Sequence, residues 1–205
     1  MRAMKMTKAI SKTQLLLAAM VAVALLLTAT AYAAAPGITG TTFNLTAQPA
    51  YITQPDGAMV YSWGYGCATG STPSFLPGAI SGASCSTMQV PGPTLIVTAG
   101  STVTVNLTNG LPTAAGNTSI LFPGFSVATS GGVAGLLTQE AAPGGSVAYT
   151  LTIPSTAAGT HAYYSGTQGD LQVEMGLYGA IIVLPSAVPA VCTSCLLYTS
   201  PSPRD

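Results

Sequence analysis

The sequence predicts an all-β protein, a Greek-key β-sandwich that follows an N-terminal signal peptide. Three observations lead to this fold class. Short runs of Val, Ile, Thr and Tyr alternate with Gly, Pro, Asn and Ser, which is the pattern of strands separated by turns. No stretch after residue 33 shows a capped helical period. The strand-like segments number eight, which suits two sheets packed face to face.

The first 33 residues have the composition of a secretory signal peptide. Four bases precede an apolar stretch at residues 15–27, and Ala31-Tyr32-Ala33 provides small residues at a cleavage position. A retained membrane anchor is the alternative, but a spanning helix needs about 20 apolar residues. We therefore expect an exported protein, whether periplasmic, secreted or at the cell surface, with no membrane contact after cleavage.

Eight segments of the remaining chain are predicted strands. The segment 102–108 is the clearest, because Val or Leu occupies every second position and defines one buried face. Asn109-Gly110 and Pro143-Gly144-Gly145 are turn sequences that permit positive φ angles. The predicted strands are residues 41–47, 58–65, 94–98, 102–108, 118–122, 146–153, 160–165 and 179–184.

Charged residues are rare, at 5% of the chain, compared with about 25% in an average soluble domain. No Lys or Arg occurs between residues 13 and 203. Such a body cannot neutralise phosphates, which excludes nucleic-acid binding, and it has no cationic clamp for anionic substrates. The low charge gives little protection against association. We expect the protein to pack against neighbouring domains of a longer chain or against other copies.

Two cysteines are predicted to form a disulfide. Cys67 and Cys85 flank a stretch rich in Gly, Ser and Pro, and exported proteins meet oxidising conditions. The stretch has little strand character and is predicted to be a long surface loop held by the disulfide. Residues 34–87 would then supply the N-terminal strands and this loop. A soft copper site formed by Cys67, Cys85 and His161 is the alternative.

The last 11 residues, Cys195 to Asp205 (CLLYTSPSPRD), match the translation of a sequencing-library adapter residue for residue. We therefore expect the natural protein to continue beyond residue 194, with residues 186–194 as a linker. The apparent Cys-x-x-Cys motif at Cys192 and Cys195 would otherwise suggest redox or zinc chemistry. If Cys195 is an artefact, the motif disappears and Cys192 has no assigned partner.

A series of short motifs occurs in order between residues 88 and 184. It begins with VPGPTLIVTAG at 90–100 and VTVNLTN at 103–109. It continues with TSI at 118–120, LTQ at 137–139, PGGS at 143–146, GT at 159–160 and GLYG at 176–179. Together these motifs resemble the N-terminal cupredoxin (plastocyanin-like) domain of the multicopper oxidase family. The resemblance implies a cupredoxin-like core over residues 88–185 and, for the family, copper binding and oxidoreductase activity.

The resemblance also implies four copper-binding histidines, and other residues occupy all four positions here. In the family a His-Trp-His-Gly segment follows Thr-Ser-Ile, whereas LFPG follows here, so Leu121 and Pro123 take the ligand positions. A Tyr-His-Ser-His segment follows the later Gly-Thr, where this chain has Tyr164 and Gly166. Leu, Pro and Gly have no side-chain donor, and a neutral phenol is a poor copper ligand. We expect no catalytic residue, metal or cofactor in this fragment, and copper only in C-terminal domains beyond it.

Other polar residues are weaker candidates for chemistry. His161 is the only histidine and lacks the partners that a metal site needs, so it is predicted to be a hydrogen-bonded or exposed strand residue. Ser165, His161 and Asp170 suggest a hydrolase triad, but no nucleophile elbow surrounds the serine. Asp170 and Glu174 are interpreted as solubilising charges rather than as a glycosidase pair or calcium ligands.

Three functions follow from these observations. The favoured one is the N-terminal plastocyanin-like domain of an exported multicopper-oxidase-like protein, acting as a copper-free structural or docking domain that is inactive alone. The first alternative is a non-catalytic cell-surface or matrix module with the same framework. The second is a small exported copper carrier whose ligands are not recognised.

Overall fold

The computed structural model describes residues 36–76 and 84–187, which form two five-stranded sheets. The sheet orders are β4-β1-β5-β10-β9 and β3-β2-β6-β8-β7. The only α-helix of the described residues is one turn, α1 (Gly169–Gln172). The predicted all-β sandwich is therefore confirmed. The strands are β1 (Gly37–Thr39), β2 (Thr42–Thr53), β3 (Met59–Cys67), β4 (Ser74–Leu76), β5 (Leu95–Thr98), β6 (Thr102–Asn109), β7 (Ser126–Ser130), β8 (Ser146–Thr152), β9 (Gly159–Tyr164) and β10 (Tyr178–Leu184).

The chain changes sheets repeatedly, which produces the Greek-key order. β1 pairs in parallel with β5, and β2 pairs in parallel with β6. Parallel neighbours cannot be joined by a tight hairpin, so the chain passes to the other sheet between β1 and β2 and again between β5 and β6. The first sheet thus combines β1 and β4 with the last two strands, β9 and β10, and the second combines β2 and β3 with the middle strands β6 to β8.

The core is built by side-chain alternation, as the sequence predicts for β6. Val103, Val105 and Leu107 are at most 1% exposed, and the residues between them are not buried. β8 repeats the pattern and pairs antiparallel with β6, placing Tyr149 opposite Val105. Burying one large aliphatic side chain contributes roughly 1.5–3 kcal/mol. These rows therefore supply much of the stabilisation between the sheets.

The prediction of a strand at residues 118–122 is wrong. Its backbone makes only isolated bridges, between Thr118 and Ala141 and between Leu121 and Tyr164. The segment looks like a strand because Ile120 and Phe122 are buried in the core. The strand in this region is β7, which the sequence did not reveal because small polar residues dominate Ser126–Ser130. The three-residue strands β1 and β4 were also not predicted.

The stretch between Cys67 and Cys85, predicted as a loop, contains β4, which pairs antiparallel with β1. A disulfide bond joins Cys67 and Cys85, whose Cα atoms lie 5.6 Å apart. The predicted signal peptide, Cys192 and the adapter-like residues 195–205 lie outside the described residues. Within the described ranges, no helix has the length and apolar character needed to cross a membrane.

Candidate functional site

Three of the four residues at the expected ligand positions lie together in the fold. The Leu121 N–H donates to the Tyr164 carbonyl oxygen at 2.7 Å, and the Tyr164 N–H donates back to Leu121 at 3.3 Å. A Cβ atom on Gly166 would come within 2.7 Å of Leu121 Cγ. Such a contact is shorter than close-packed carbon atoms allow. The Leu121 side chain therefore fills the space that a side chain at position 166 would occupy.

Pro123 lines an open cavity of about 320 Å³ together with Leu121. Thr138 carries the only polar side chain of the lining, so the cavity presents no imidazole, carboxylate or thiolate. Across residues 36–76 and 84–187, no group of three His, Cys, Asp or Glu side chains is placed to hold a metal. The lining residues are Ile120, Leu121, Phe122, Pro123, Phe125, Val127, Leu137 and Thr138.

A buried amide organises the backbone behind these positions. Gln172, in α1, is fully buried. Its Oε1 accepts hydrogen bonds from Thr118 Oγ1 at 2.9 Å and from Ser165 Oγ at 2.7 Å. Its Nε2 donates to the Asn117 carbonyl oxygen at 2.8 Å. One side chain therefore connects the segment that precedes Leu121 with the residue between Tyr164 and Gly166.

A second buried polar group extends this network. The Glu140 carboxylate is 8% exposed and accepts hydrogen bonds from Thr167 Oγ1 at 2.8 Å and Asn117 Nδ2 at 3.0 Å. Thr167 Oγ1 is also 2.8 Å from Ser119 Oγ, which in turn accepts from the Gly166 N–H at 3.2 Å. Buried polar groups must be paired in this way because desolvation without a partner is costly.

Two buried tyrosines hold the same segment from the core side, and a third, Tyr163, donates to the Pro93 carbonyl oxygen at 2.7 Å. Tyr65 Oη donates to the Ser119 carbonyl oxygen at 2.6 Å. Tyr149 Oη accepts from the Ile120 N–H at 3.1 Å and donates to the Gln139 carbonyl oxygen at 2.9 Å. Burial raises the pKa of Tyr65, of Tyr149 and of Tyr163 above that of a free phenol, because a phenolate would lose its hydration. These phenols therefore act as neutral hydrogen-bonding groups.

His161 is a hydrogen-bonded strand residue, as one sequence prediction states. Its Nε2 lies 2.8 Å from the Ala157 carbonyl oxygen, and its ring meets the Phe125 ring edge-to-face at 4.8 Å. It lies in β9 opposite Ile181. One ring nitrogen is thus occupied by a main-chain partner.

The other candidate arrangements are not assembled. Ser165 Oγ donates to Gln172 rather than contacting His161, and Asp170 is exposed on α1. Glu174 is likewise exposed. Cys67 and Cys85 are bonded to each other, so their sulfur atoms are not the free thiolates that a soft copper site with His161 requires.

Gln172, Glu140, Ser119 and Thr167 organise this site, and sequence reasoning missed all four as structural residues. Glu140 offered a faint signal, since it is the only charged residue between Asp56 and Asp170. Gln172 and the two hydroxyls offered none, because their side-chain partners other than Ser165 lie 27 to 55 positions away in the chain.

Comparison with curated protein sequences finds no match. Among solved structures, the chain is similar to a multi-copper oxidase from Pseudomonas thermotolerans, with 21% identity, a TM-score of 0.53, and 75% of this chain and 31% of that one covered. A metallo-oxidase from Campylobacter jejuni is similar at 21% identity and a TM-score of 0.52, with 71% and 26% covered. A further multicopper oxidase has 26% identity and a TM-score of 0.48, with 70% and 42% covered. The chain thus spans less than half the length of each of these proteins.

The family model for multicopper oxidase matches residues 80–188, which are 109 of the 205 residues. The matched range contains β5 to β10 and all four expected ligand positions. The similar solved structures share the two-sheet architecture of the described residues. The chain belongs to the multicopper oxidase family.

Proposed function

We propose that this chain is an exported, copper-free structural domain of a longer multicopper-oxidase-like protein. The contact between Leu121 and Gly166 is the observation that carries the proposal. The copper cluster implied by the resemblance needs imidazoles at these positions, whereas here a leucine packs where a side chain at 166 would stand. The hydrogen bonds of Gln172 and Ser119 hold the two segments that carry Leu121 and Gly166. The framework is therefore maintained by the protein's own contacts.

The surface over the same site supports a docking role. Leu136 is 92% exposed and Leu137 is 64% exposed, beside the cavity lined by Leu121 and Pro123. A backbone bridge between Val133 and Glu140, with hydrogen bonds of 2.9 Å in both directions, closes the loop that carries the two leucines. Apolar surfaces presented in this way are typical of interfaces. We propose that a neighbouring cupredoxin domain of the same protein covers it, since the similar oxidases from Pseudomonas thermotolerans and Campylobacter jejuni are more than twice as long as this chain.

Copper content tests the first part of the proposal. The purified full chain is incubated with Cu(I) and, separately, with Cu(II), dialysed, and analysed for metal by mass spectrometry. We expect no stoichiometric copper, and the same result for His161→Gln. One retained copper per chain that disappears in His161→Gln would support the copper-carrier alternative instead.

The downstream sequence tests the second part. Long reads past residue 187 would establish whether the frame continues into segments of the His-x-His and His-Cys-His type. Their presence would identify domains for this chain to dock against. If they occur, the downstream part expressed separately should bind this chain, and Leu136→Ser with Leu137→Ser should weaken that binding. A frame without such segments would favour the non-catalytic surface or matrix module.

A further inference from the structure

β3 is the outermost strand of its sheet, and part of its free edge is covered by the chain itself. The Trp63 N–H donates to the Met175 carbonyl oxygen at 2.8 Å, and residues 86–89 bond to the strand beyond Trp63. The second half of β3 is buried accordingly, from Ser62 to Cys67. This half of the edge is closed to any partner.

The first half of β3 has no such cover among the described residues. The N–H and C=O groups of successive residues in a strand point to opposite sides. The N–H and C=O groups of Met59 and of Tyr61 therefore point outward, on the same side as the N–H of Trp63. No described residue forms a hydrogen bond to these four groups. The side chains of Met59, Val60 and Tyr61 are 63%, 44% and 42% exposed.

Exposed strand edges are normally protected by Lys, by Pro or by a bulge. β3 has none of these. It pairs with β2 without interruption from Met59 to Cys67. Tyr51 packs edge-on against Tyr61 with ring centroids 5.4 Å apart, which holds the end of the hairpin in extended form. The first half of β3 is therefore an uncharged, regular and extended strand edge that can pair with another strand.

We propose that this edge pairs antiparallel with β3 of a second copy, with Val60 on the two-fold axis. In this register Met59 of each copy lies opposite Tyr61 of the other, and the two symmetric pairs exchange four backbone hydrogen bonds. The register leaves the bond between Trp63 and Met175 intact. The two sheets then form one continuous sheet across the contact.

A second copy fits this edge better than another sequence for two reasons. Pairing about a two-fold axis is self-complementary, so each copy supplies the donors and acceptors that the other needs. β3 carries no charge, and the nearest acid, Asp56, lies in the turn before it. In an antiparallel pair the two Asp56 side chains lie at opposite ends, so they do not repel each other. The contact is small, and we expect concentration-dependent association rather than a permanent dimer.

Sedimentation equilibrium of the full chain over a concentration series tests the proposal. Val60→Lys and Val60→Glu each place like charges opposite each other at the axis, and each should weaken association about tenfold. An equal mixture of the two variants should restore association, because opposite charges then face each other. A variant that failed to fold could not regain association on mixing, so restored association would exclude a folding defect as the cause of the weakening. Thr152→Lys, at an exposed position of β8 outside the proposed contact, is the matched control and should associate like the unmodified chain. Leu136→Lys is measured beside it to test whether the Leu136–Leu137 loop carries the contact instead.

Four results would overturn the proposal. The unmodified chain could remain monomeric at every concentration. Both Val60 variants could associate as strongly as the unmodified chain, or their mixture could fail to recover. Association lost in Leu136→Lys but retained in the Val60 variants would place the contact on the Leu136–Leu137 loop instead of the β3 edge.

Discussion

Leu121 and Gly166 are complementary in shape, because the leucine side chain lies where a Cβ atom at 166 would be, 2.7 Å from Leu121 Cγ. The backbone at Gly166 is not in the left-handed region, so its lack of a side chain serves the contact rather than a turn. The two residues meet across the Leu121–Tyr164 bridge.

Gly166→Ala should destabilise the fold by about 1–3 kcal/mol, because the new methyl group overpacks against Leu121. Leu121→Ala should also destabilise it, by exposing a gap. The double variant should lose less than the sum of the two, since alanine at 121 makes room for alanine at 166. Urea unfolding of the four proteins measures the coupling. Strict additivity would show that the two side chains do not compete for the same space.

Gln172→Leu should cost about 2–4 kcal/mol, because the hydroxyls of Thr118 and Ser165 lose their common acceptor in a buried site. Gln54→Leu provides the control, since Gln54 is exposed and its side chain has no hydrogen bond among the described residues. Both variants are compared by urea unfolding. Equal stability of the two would show that the Gln172 network contributes nothing net.

Stability should fall steeply in alkaline solution. The pKa of the buried phenols of Tyr65, Tyr149 and Tyr163 is raised in the folded state, whereas in the unfolded chain it returns to about 10. The unfolded state therefore loses protons first, and stability that is fully present below pH 10 decreases above it. Three phenols correspond to a slope of about 4 kcal/mol per pH unit.

Urea midpoints between pH 9 and pH 11 measure this slope, and Tyr149→Phe should reduce it by about one third. The absorbance of phenolate provides an independent measurement on the folded protein. If all tyrosines ionised near pH 10 while the protein remained folded, the proposed origin of the slope would be excluded.

Removing the disulfide should destabilise the protein by about 3 kcal/mol, the effect expected when a bond closing a short loop is lost. The bond spans 18 positions of the chain. The double variant Cys67→Ser, Cys85→Ser is compared with the unmodified chain and with the chemically reduced chain. The variant and the reduced chain should agree in stability. A variant as stable as the oxidised chain would contradict the prediction.

Much of the fold was predictable because strand patterns are local. Alternating Val and Leu residues mark β6, and the turn sequences mark its end. Residues 118–122 misled the prediction because buried apolar residues in an irregular segment have the same composition as a short strand. β7 was missed for the opposite reason, since an edge strand faces solvent and tolerates small polar residues.

The candidate site was predictable only in its residue types. The sequence shows directly that Leu121, Pro123, Tyr164 and Gly166 stand where the resemblance expects histidines. Which of them touch was not predictable, because the bridge between Leu121 and Tyr164 joins two segments separated by all of β7 and β8 and most of β9. The hydrogen bonds of Gln172 to Thr118 and Ser165 likewise require these two segments to lie side by side.

The sequence by itself determined the all-β class, the alternation of buried and exposed side chains, and the near absence of charge. Only the tertiary structure decided that a leucine packs over Gly166 and that a buried glutamine joins Thr118 to Ser165. It also decided that described residues cover one half of the β3 edge and not the other. The physical reason is that a strand pattern specifies which face of each strand is buried. It does not specify which distant residue lies against that face, because the partner is chosen by the packing of all strands together.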